Sequence, residues 1–532
     1  MASISIFNTA ARSAAITAIA LALTAASNPV WAENAVVSAE AATALIGSLD
    51  AGLRQWFPPT GSTTNYRWDG LPKVTVNGAS YDVDLPSLQI NGEDGDRVEV
   101  GVIKLALTPD TDGSWSVGIV LPSPIALLNA DGKQDGELAI GTQNFRGRWL
   151  PSLGTFIKAE ASYGDLKAIS RKDPTRLEIG SIALRSDLDE QPAGRWTGPS
   201  TVTIDRLTAI DEHGVMVARL GSIALDATVT GMDIAHAITL GGQNDTPTPP
   251  GKDATGKGKS SHIKATQAAV QRRLDILHNL LAGASTKLRI GELTMTAPGD
   301  GGAISVAQVT AHGGIKGLDQ GKSELTIGYE HSGLKIVPSP GPQEFLPEKV
   351  ELNLAAIDLP NANLWAAFTK LFGPSPTDQT DDQAGQIFSQ QVQTALSQAG
   401  SRLRVLALRL DTPAATANLK GEAQFDEKAA LGVVASFDMA LRGLETAAAR
   451  LQAAPTAKGS DETKNTLGMI SMIQAFGTPG KDETGRDIRT YKLELDGLGR
   501  ILLNGADMSA LLQSGQDKEP GAKVGKRKKS EQ

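Results

Sequence analysis

The sequence predicts an α+β, β-rich fold: long curved antiparallel sheets built from repeated strand pairs with bulges, and several amphipathic helices packed on one face. Three observations predict it. A pattern of apolar-x-apolar-Gly-x-apolar-x-apolar returns at Gly101, Gly180, Gly221 and Gly291, with a weaker copy at Gly141. Strict alternation runs from Leu431 to Leu441, which is the signature of a half-buried strand. A few segments place apolar residues at helical spacing, as Ala41, Leu45, Leu49 and Leu53 do.

The glycine pattern carries a geometric demand. In Val98-x-Val100-Gly101-x-Ile103-x-Leu105, the step from Val100 to Ile103 spans three residues. Side chains alternate between the two faces of a strand, so a step of three sends the second apolar pair to the wrong face. One extra residue at Gly-x, a β-bulge, restores the parity, and glycine tolerates the backbone angles a bulge needs. The same spacing recurs in Leu177-x-Ile179-Gly180-x-Ile182-x-Leu184, Ala218-x-Leu220-Gly221-x-Ile223-x-Leu225 and Leu288-x-Ile290-Gly291-x-Leu293-x-Met295. A strand buried on both faces would show the pattern without any bulge. Near-regular spacing of about forty residues from Gly101 to Gly221 favours one repeated strand-pair unit.

Residues 1–32 read as a signal peptide. Arg12 supplies a positive n-region, Ala14–Ala26 an apolar stretch, and Val30-Trp31-Ala32 small residues for cleavage after Ala32. The expected location is therefore the periplasm, with no transmembrane segment after cleavage. Residues 33–240 are expected to form an N-terminal β-rich domain, opening with a helix over 35–57 that Pro58-Pro59 stops. Residues 241–261, rich in Gly, Pro, Lys and Thr, read as a flexible linker.

Residues 262–372 are expected to hold a helix, striped by Val270, Leu274, Leu277 and Leu281, followed by strands and a helix over Asn361–Phe372. A polar loop over 373–386 leads to a C-terminal α+β segment, 387–512. There Phe388, Val392 and Leu396 mark a helix, and Leu403-x-Val405 with Leu408-x-Leu410 resembles the repeat with Leu406-Ala407 in place of Gly-x. The tail, 513–532, ends in Lys526-Arg527-Lys528-Lys529 and reads as disordered.

Little in the chain points to chemistry. It has no cysteine, which removes disulfides, thiol nucleophiles and Cys-ligated metals. A net charge of −8 with 4% aromatics is the wrong balance for nucleic acid. The six histidines make no ligand pair, and no nucleophile elbow is present. His213, His312 and His331 each stand shortly before glycine and read as turn positions, while His278 falls on a helix flank. Gly251-x-x-x-x-Gly256-Lys257 lacks the Ser or Thr of a phosphate loop. Acidic runs such as Asp110-Thr-Asp112-Gly113 read as hairpin turns. No catalytic, cofactor-binding or metal-ligating residue is expected. Trp56, Tyr66, Trp68, Tyr81, Trp115 and Trp149 crowd the first third of the chain and are the candidate ligand-facing rings; they equally suit core anchors.

The export signal, the early helix, the recurring L-x-I-G-x-I-x-L strands and the closing YKLELDGLGRILLNGADM together resemble the periplasmic YdgA-like and AsmA-like proteins. What the resemblance implies is a long sheet whose concave apolar face handles lipid or supports envelope assembly, with no catalytic residues. The leading expectation is a non-enzymatic periplasmic protein that binds a lipid, an amphipathic ligand or an envelope partner along a curved sheet. A structural or interaction protein of the envelope without a ligand groove is the alternative, and a hydrolase the third.

Overall fold

The computed structural model describes residues 36–56, 65–92, 95–171, 175–237, 279–297, 301–339, 343–372, 381–453 and 461–508. The signal segment, the linker 241–261, the Val270–Leu277 stripe with His278, most of 373–386 and the tail lie outside the described residues. The fold class is the predicted one, α+β and β-rich, with antiparallel pairing throughout the described strands. The chain divides into two compact units, Met1–Pro340 with Asn361–Phe388, and Gly341–Pro360 with Ser389–Gln532.

The first unit opens with helix α1 (Ala39–Trp56), whose Ser38 cap accepts a hydrogen bond from the Ala41 amide at 3.1 Å. Leu45, Leu49 and Leu53 of the expected stripe are buried, joined by Ala42, while Ala41 is half-buried beside them. Burying three leucines stabilises the docked helix by roughly 5–9 kcal/mol before entropy is counted.

Two ribbons of short strands provide the surface on which α1 docks. One runs through Lys73–Asn77, Ser80–Asp84, Lys104–Pro109, Trp115–Val120 and Thr142–Leu150. The other runs through Asn65–Asp69, Ser87–Asn91, Arg97–Gly101, Ile125–Leu128 and Gln134–Ala139. Both ribbons end on the same long strand, Thr155–Ser170. Its first half pairs with Thr142–Leu150 and its last residues with Gln134–Ala139. One sheet thus splits into two leaves at Gly164-Asp165. Tyr81, Leu107 and Trp115 of one leaf meet Leu88, Val100 and Ile125 of the other in a single core with α1.

Beyond Thr155–Ser170 the leaves are continuous. Arg176–Asp187, Arg195–Ile210, Met216–Met232, Gly283–Thr296, Ala303–Lys316 and Lys322–Ser332 follow as an antiparallel meander. Met216–Met232 pairs directly with Gly283–Thr296, from Ala218 opposite Met295 to Thr230 opposite Gly283. The expected boundary at 241–261 is therefore no break between domains, because the intervening chain is an insertion between neighbouring strands of one sheet. Helix α2 (Asn361–Phe372) also belongs to this unit. The Asn361 side-chain Nδ2 donates to the carbonyls of Gly317 and Gln320, each at 2.7 Å.

The second unit pairs Lys349–Pro360, Arg402–Asp411, Thr416–Phe425, Val433–Arg442 and Asp487–Leu495 in that order. The copy of the repeat anticipated at Leu406-Ala407 is a true bulge here. The register slips between Asn353 and Leu354 on one side and between Val405 and Leu408 on the other. Helix α3 (Asp381–Ala399) starts inside the expected polar loop 373–386, whose residues from Asp381 are helical, and enters this unit from Ser389 onward; α4 (Leu444–Ala453) and α5 (Asp461–Phe476) form a pair beside Asp487–Leu495. Tyr491 ties α5 to that strand by donating to the Ile473 carbonyl at 2.8 Å.

Candidate functional site

The recurring glycines mark a crease that crosses the first unit's sheet from strand to strand. At Gly101 the anticipated bulge is present: Leu88 faces Gly101 and Gln89 faces Glu99, which leaves Val100 extra, and Gly101 has φ of 82°. At Gly180, Gly221 and Gly291 the bulge reading needs correction. The register passes these positions unshifted, with Gly164 opposite Ser181 and Leu166 opposite Ile179 on one side. A bulge is a mismatch in residue count between partners. Here every strand takes the same detour at the same level, so the counts agree although each strand changes parity.

The left-handed backbone needed for that detour sits on other residues. Asp165, Arg206 and Glu292 have φ of 53°, 56° and 52°, and Gly333 continues the line at 69°. The registers set Asp165 opposite Gly141 and Gly180, Arg206 opposite Gly180 and Gly221, Glu292 opposite Gly221 and Ala307, and Gly333 opposite Ala307. Gly180 and Gly221 are needed for space. A methyl group on Gly221 would lie 2.9 Å from the Glu292 Cβ, and one on Gly180 would lie 2.5 Å from the Arg206 Nε. Gly333 reverses the roles: its own methyl would meet the Ala307 Cβ at 2.7 Å, so here the left-handed residue is the glycine and its neighbour keeps the methyl. Gly291 is equivalent to Gly164, the residue before a left-handed position, and not to Gly180 or Gly221.

The crease keeps the apolar set on one face. Leu177 and Ile179 precede it, Ile182 and Leu184 follow it, and all four pack against the same core. From there the set continues as cross-strand rows. One runs Tyr163–Ile182–Ile204–Ile223–Ile290–Val309–His331, and the next Ala161–Leu184–Val202–Leu225–Leu288–Ala311–Tyr329. Across the crease lie Leu177–Ala209–Ala218–Met295–Ile304–Ile336 and the shorter Ile179–Leu207–Leu220 and Leu293–Val306. Because both sides of the crease serve one core at the helix end, their apolar faces look toward each other there.

Further along, burial ends. Among the described residues of this meander after Leu188, the buried apolar side chains are Trp196, Ala209 and Val217, while Leu225, Met295, Ile304, Ile327 and Tyr329 are exposed. Five inter-strand steps of ~4.8 Å give the row from Ile182 to His331 a length of about 24 Å across the strands.

The candidate aromatic residues are placed differently. Tyr81, Trp115 and Trp149 are buried in the core, where Tyr81 stacks on Trp115 with centroids 6.0 Å apart and Trp149 meets Phe156 edge-on at 4.9 Å. Tyr66 and Trp68 are half-buried against it, and Trp56 ends α1. Tyr81, Trp115 and Trp149 anchor the core that the two leaves share, and the apolar rows beyond it lie elsewhere on the sheet. His312 and His331 also need correction. Both sit within strands: Gly313-Gly314 after His312 is mid-strand, where a methyl on Gly314 would meet the Ser285 Cβ at 3.3 Å, and His331 stands two residues before the left-handed Gly333 of the crease. His213 does occupy a turn, with its amide on Asp211 at 2.9 Å.

Titratable groups are engaged locally. Burial pushes Asp233 up, but the His236 amide and ring, with the charges of His236 and Arg195, outweigh it and leave the carboxyl below its ordinary value. Burial alone raises the Tyr163 hydroxyl. Asp112, in one of the acidic turns, binds Ser114 and Arg148. Among the described residues no group of His, Asp and Glu has the geometry to hold a metal ion, and no helix is long and apolar enough to cross a membrane. Comparison with family models, curated proteins and solved structures returned no match. The rows of half-exposed apolar residues were missed as a site because each strand alone looks like ordinary core; only the register reveals that they align.

Proposed function

We propose that this chain is a non-enzymatic protein of the periplasm that holds a lipid or another amphiphile against the apolar side of the creased sheet. The observation that carries the reading is the continuation of the core's own apolar rows, strand after strand, past the point where anything described buries them. A core that merely ends would be expected to turn polar within a strand or two. Instead, Ile182, Ile204, Ile223, Ile290 and Val309 stay in line. The row length, about 24 Å, exceeds the roughly 15 Å half-thickness of a bilayer's hydrocarbon core, so an acyl chain laid across the strands finds apolar contact along its whole length. The resemblance to YdgA-like and AsmA-like proteins supports the same class of ligand and the same compartment.

The test is native mass spectrometry of the full chain purified from the periplasm, coupled to organic extraction. The expected result is a co-purifying amphiphile that extraction releases. Intact, folded protein carrying no such molecule, and failing to take up an added fatty acid or phospholipid, would end the proposal.

A further inference from the structure

On the polar side of the same crease, Arg206, Arg219 and Arg289 surround a depression of about 710 Å³ that Gly221, Ser222 and Glu292 also line. We propose that this depression is a binding site for a phosphoryl or sulfate oxyanion. Its cations leave the sheet from three neighbouring strands, Arg195–Ile210, Met216–Met232 and Gly283–Thr296. Arg206 holds a left-handed backbone, φ 56°, and its guanidinium lies over Gly180, where a methyl group would stand 2.7 Å from Cζ. Arg289 is fixed by Asp226 at 2.6 Å. Arg219 rises from the next strand between Thr208 and Thr294. Among the described residues neither Arg206 nor Arg219 has a carboxylate in ion-pair reach.

In a second polar depression of the same unit, of about 530 Å³, three of the four lining cations are held: Arg148 by Asp112, Lys158 by Asp187 at 2.7 Å and Arg185 by Asp187 at 3.9 Å. At the crease, two guanidinium forks remain open beside a third that is already oriented. Guanidinium groups match the paired oxygens of phosphate and sulfate. Glu292 opposes an anion, so it works against the arginines and sets the affinity. The two faces of the crease would then bind different chemical groups, and either proposal stands without the other.

The experiment uses calorimetric titration of the full chain with inorganic phosphate, and flotation with phosphatidylcholine vesicles with and without phosphatidylglycerol. Arg206→Asn keeps a side chain that tolerates the left-handed angle, and Arg219→Gln changes a residue in regular strand. Each variant is expected to bind about tenfold more weakly, the loss of one charge-assisted hydrogen bond. Glu292→Gln is expected to bind more tightly, and added salt to weaken all of them. Binding of inorganic phosphate assigns a free anion; binding only to phosphatidylglycerol vesicles, lost in the same variants, assigns a lipid headgroup. Circular dichroism melts checked against wild type separate site loss from misfolding. Absence of binding to either probe, or binding that both arginine variants leave unchanged, would overturn the proposal.

Discussion

The crease offers a sharp test, because the structure contains the same contact built in two opposite ways. At Gly221 and Glu292 the glycine is the regular residue and the side chain belongs to the left-handed one; at Ala307 and Gly333 the assignments are exchanged. Replacing Gly221 with alanine puts a methyl 2.9 Å from the Glu292 Cβ, an atom that the left-handed backbone holds in place. Overpacking against a fixed atom costs about 1–3 kcal/mol. Gly180→Ala meets the Nε, Cζ and Nη2 of Arg206 at 2.5–2.7 Å, but those atoms end a long exposed side chain that can swing aside. Its cost should stay below about 1 kcal/mol, because alanine also lowers the entropy of the unfolded chain.

The decisive variant is the double one. Gly221→Ala with Glu292→Gly reproduces the Ala307–Gly333 arrangement and should recover most of the lost stability. A left-handed non-glycine residue costs about 1–2 kcal/mol and glycine's extra backbone entropy about 0.5–1, so Glu292→Gly alone should range from neutral to about 1.5 kcal/mol stabilising. The cycle then yields a coupling of about 1–3 kcal/mol. Urea unfolding followed by tryptophan fluorescence reads it, since Trp68, Trp115, Trp149, Trp196 and Trp365 all belong to the first unit. Additive effects at an unchanged slope, or a harmless Gly221→Ala, would show that the crease does not depend on this exclusion of a methyl.

Three further outcomes are expected. Leu225→Glu places a carboxylate mid-row on a side chain that is 39% exposed, so it should abolish amphiphile retention while moving stability by less than about 1 kcal/mol; retention at the wild-type level in native mass spectra would count against the apolar rows as the site. Trp115→Ala removes a buried ring from between the two leaves and should cost about 3–5 kcal/mol in urea unfolding without touching that retention. In the second unit, hydrogen bonds from Thr484, the Arg486 amide and the charge of Arg442 hold Asp482 at about 2, below its ordinary 3.8. That support is complete above pH 3.8 and disappears as pH falls toward 2, so amide exchange around the hairpin from Thr478 to Leu495 should accelerate in that window. Asp482→Asn should flatten the pH dependence.

Much of the architecture was readable because it depends on local periodicity. Helix α1, the run ending near Leu441, α2, α3 and the closing hairpin follow from apolar spacing and from Pro or Gly punctuation. The division into units was not readable, since it depends on which strands pair after Met232, and pairing is a long-range choice. The aromatic cluster was legible as a cluster, yet its position in the core follows from the two leaves meeting face to face. His312 and His331 looked like turn residues because a neighbouring glycine signals either a positive φ or a tight approach, and sequence alone does not separate the two uses.

The glycine repeat shows the same ambiguity with more at stake. Parity was correctly read: apolar residues on both sides of each glycine share a face, and that follows from spacing within one strand. The bulge was an inference about a pair of strands, and Gly180 by itself holds no information about Arg206. The signal that could have found the crease lies in the polar residues, since Asp165, Arg206 and Glu292 interrupt alternation at the same parity step as the glycines do. A three-residue step in every strand of a sheet cannot be a bulge in each pair, because bulges on both partners at one level cancel. Once that step recurs in consecutive strands, the remaining solution is a shared fold line, with left-handed residues and small ones alternating along it. The apolar rows on one side and the arginines on the other both owe their alignment to that line.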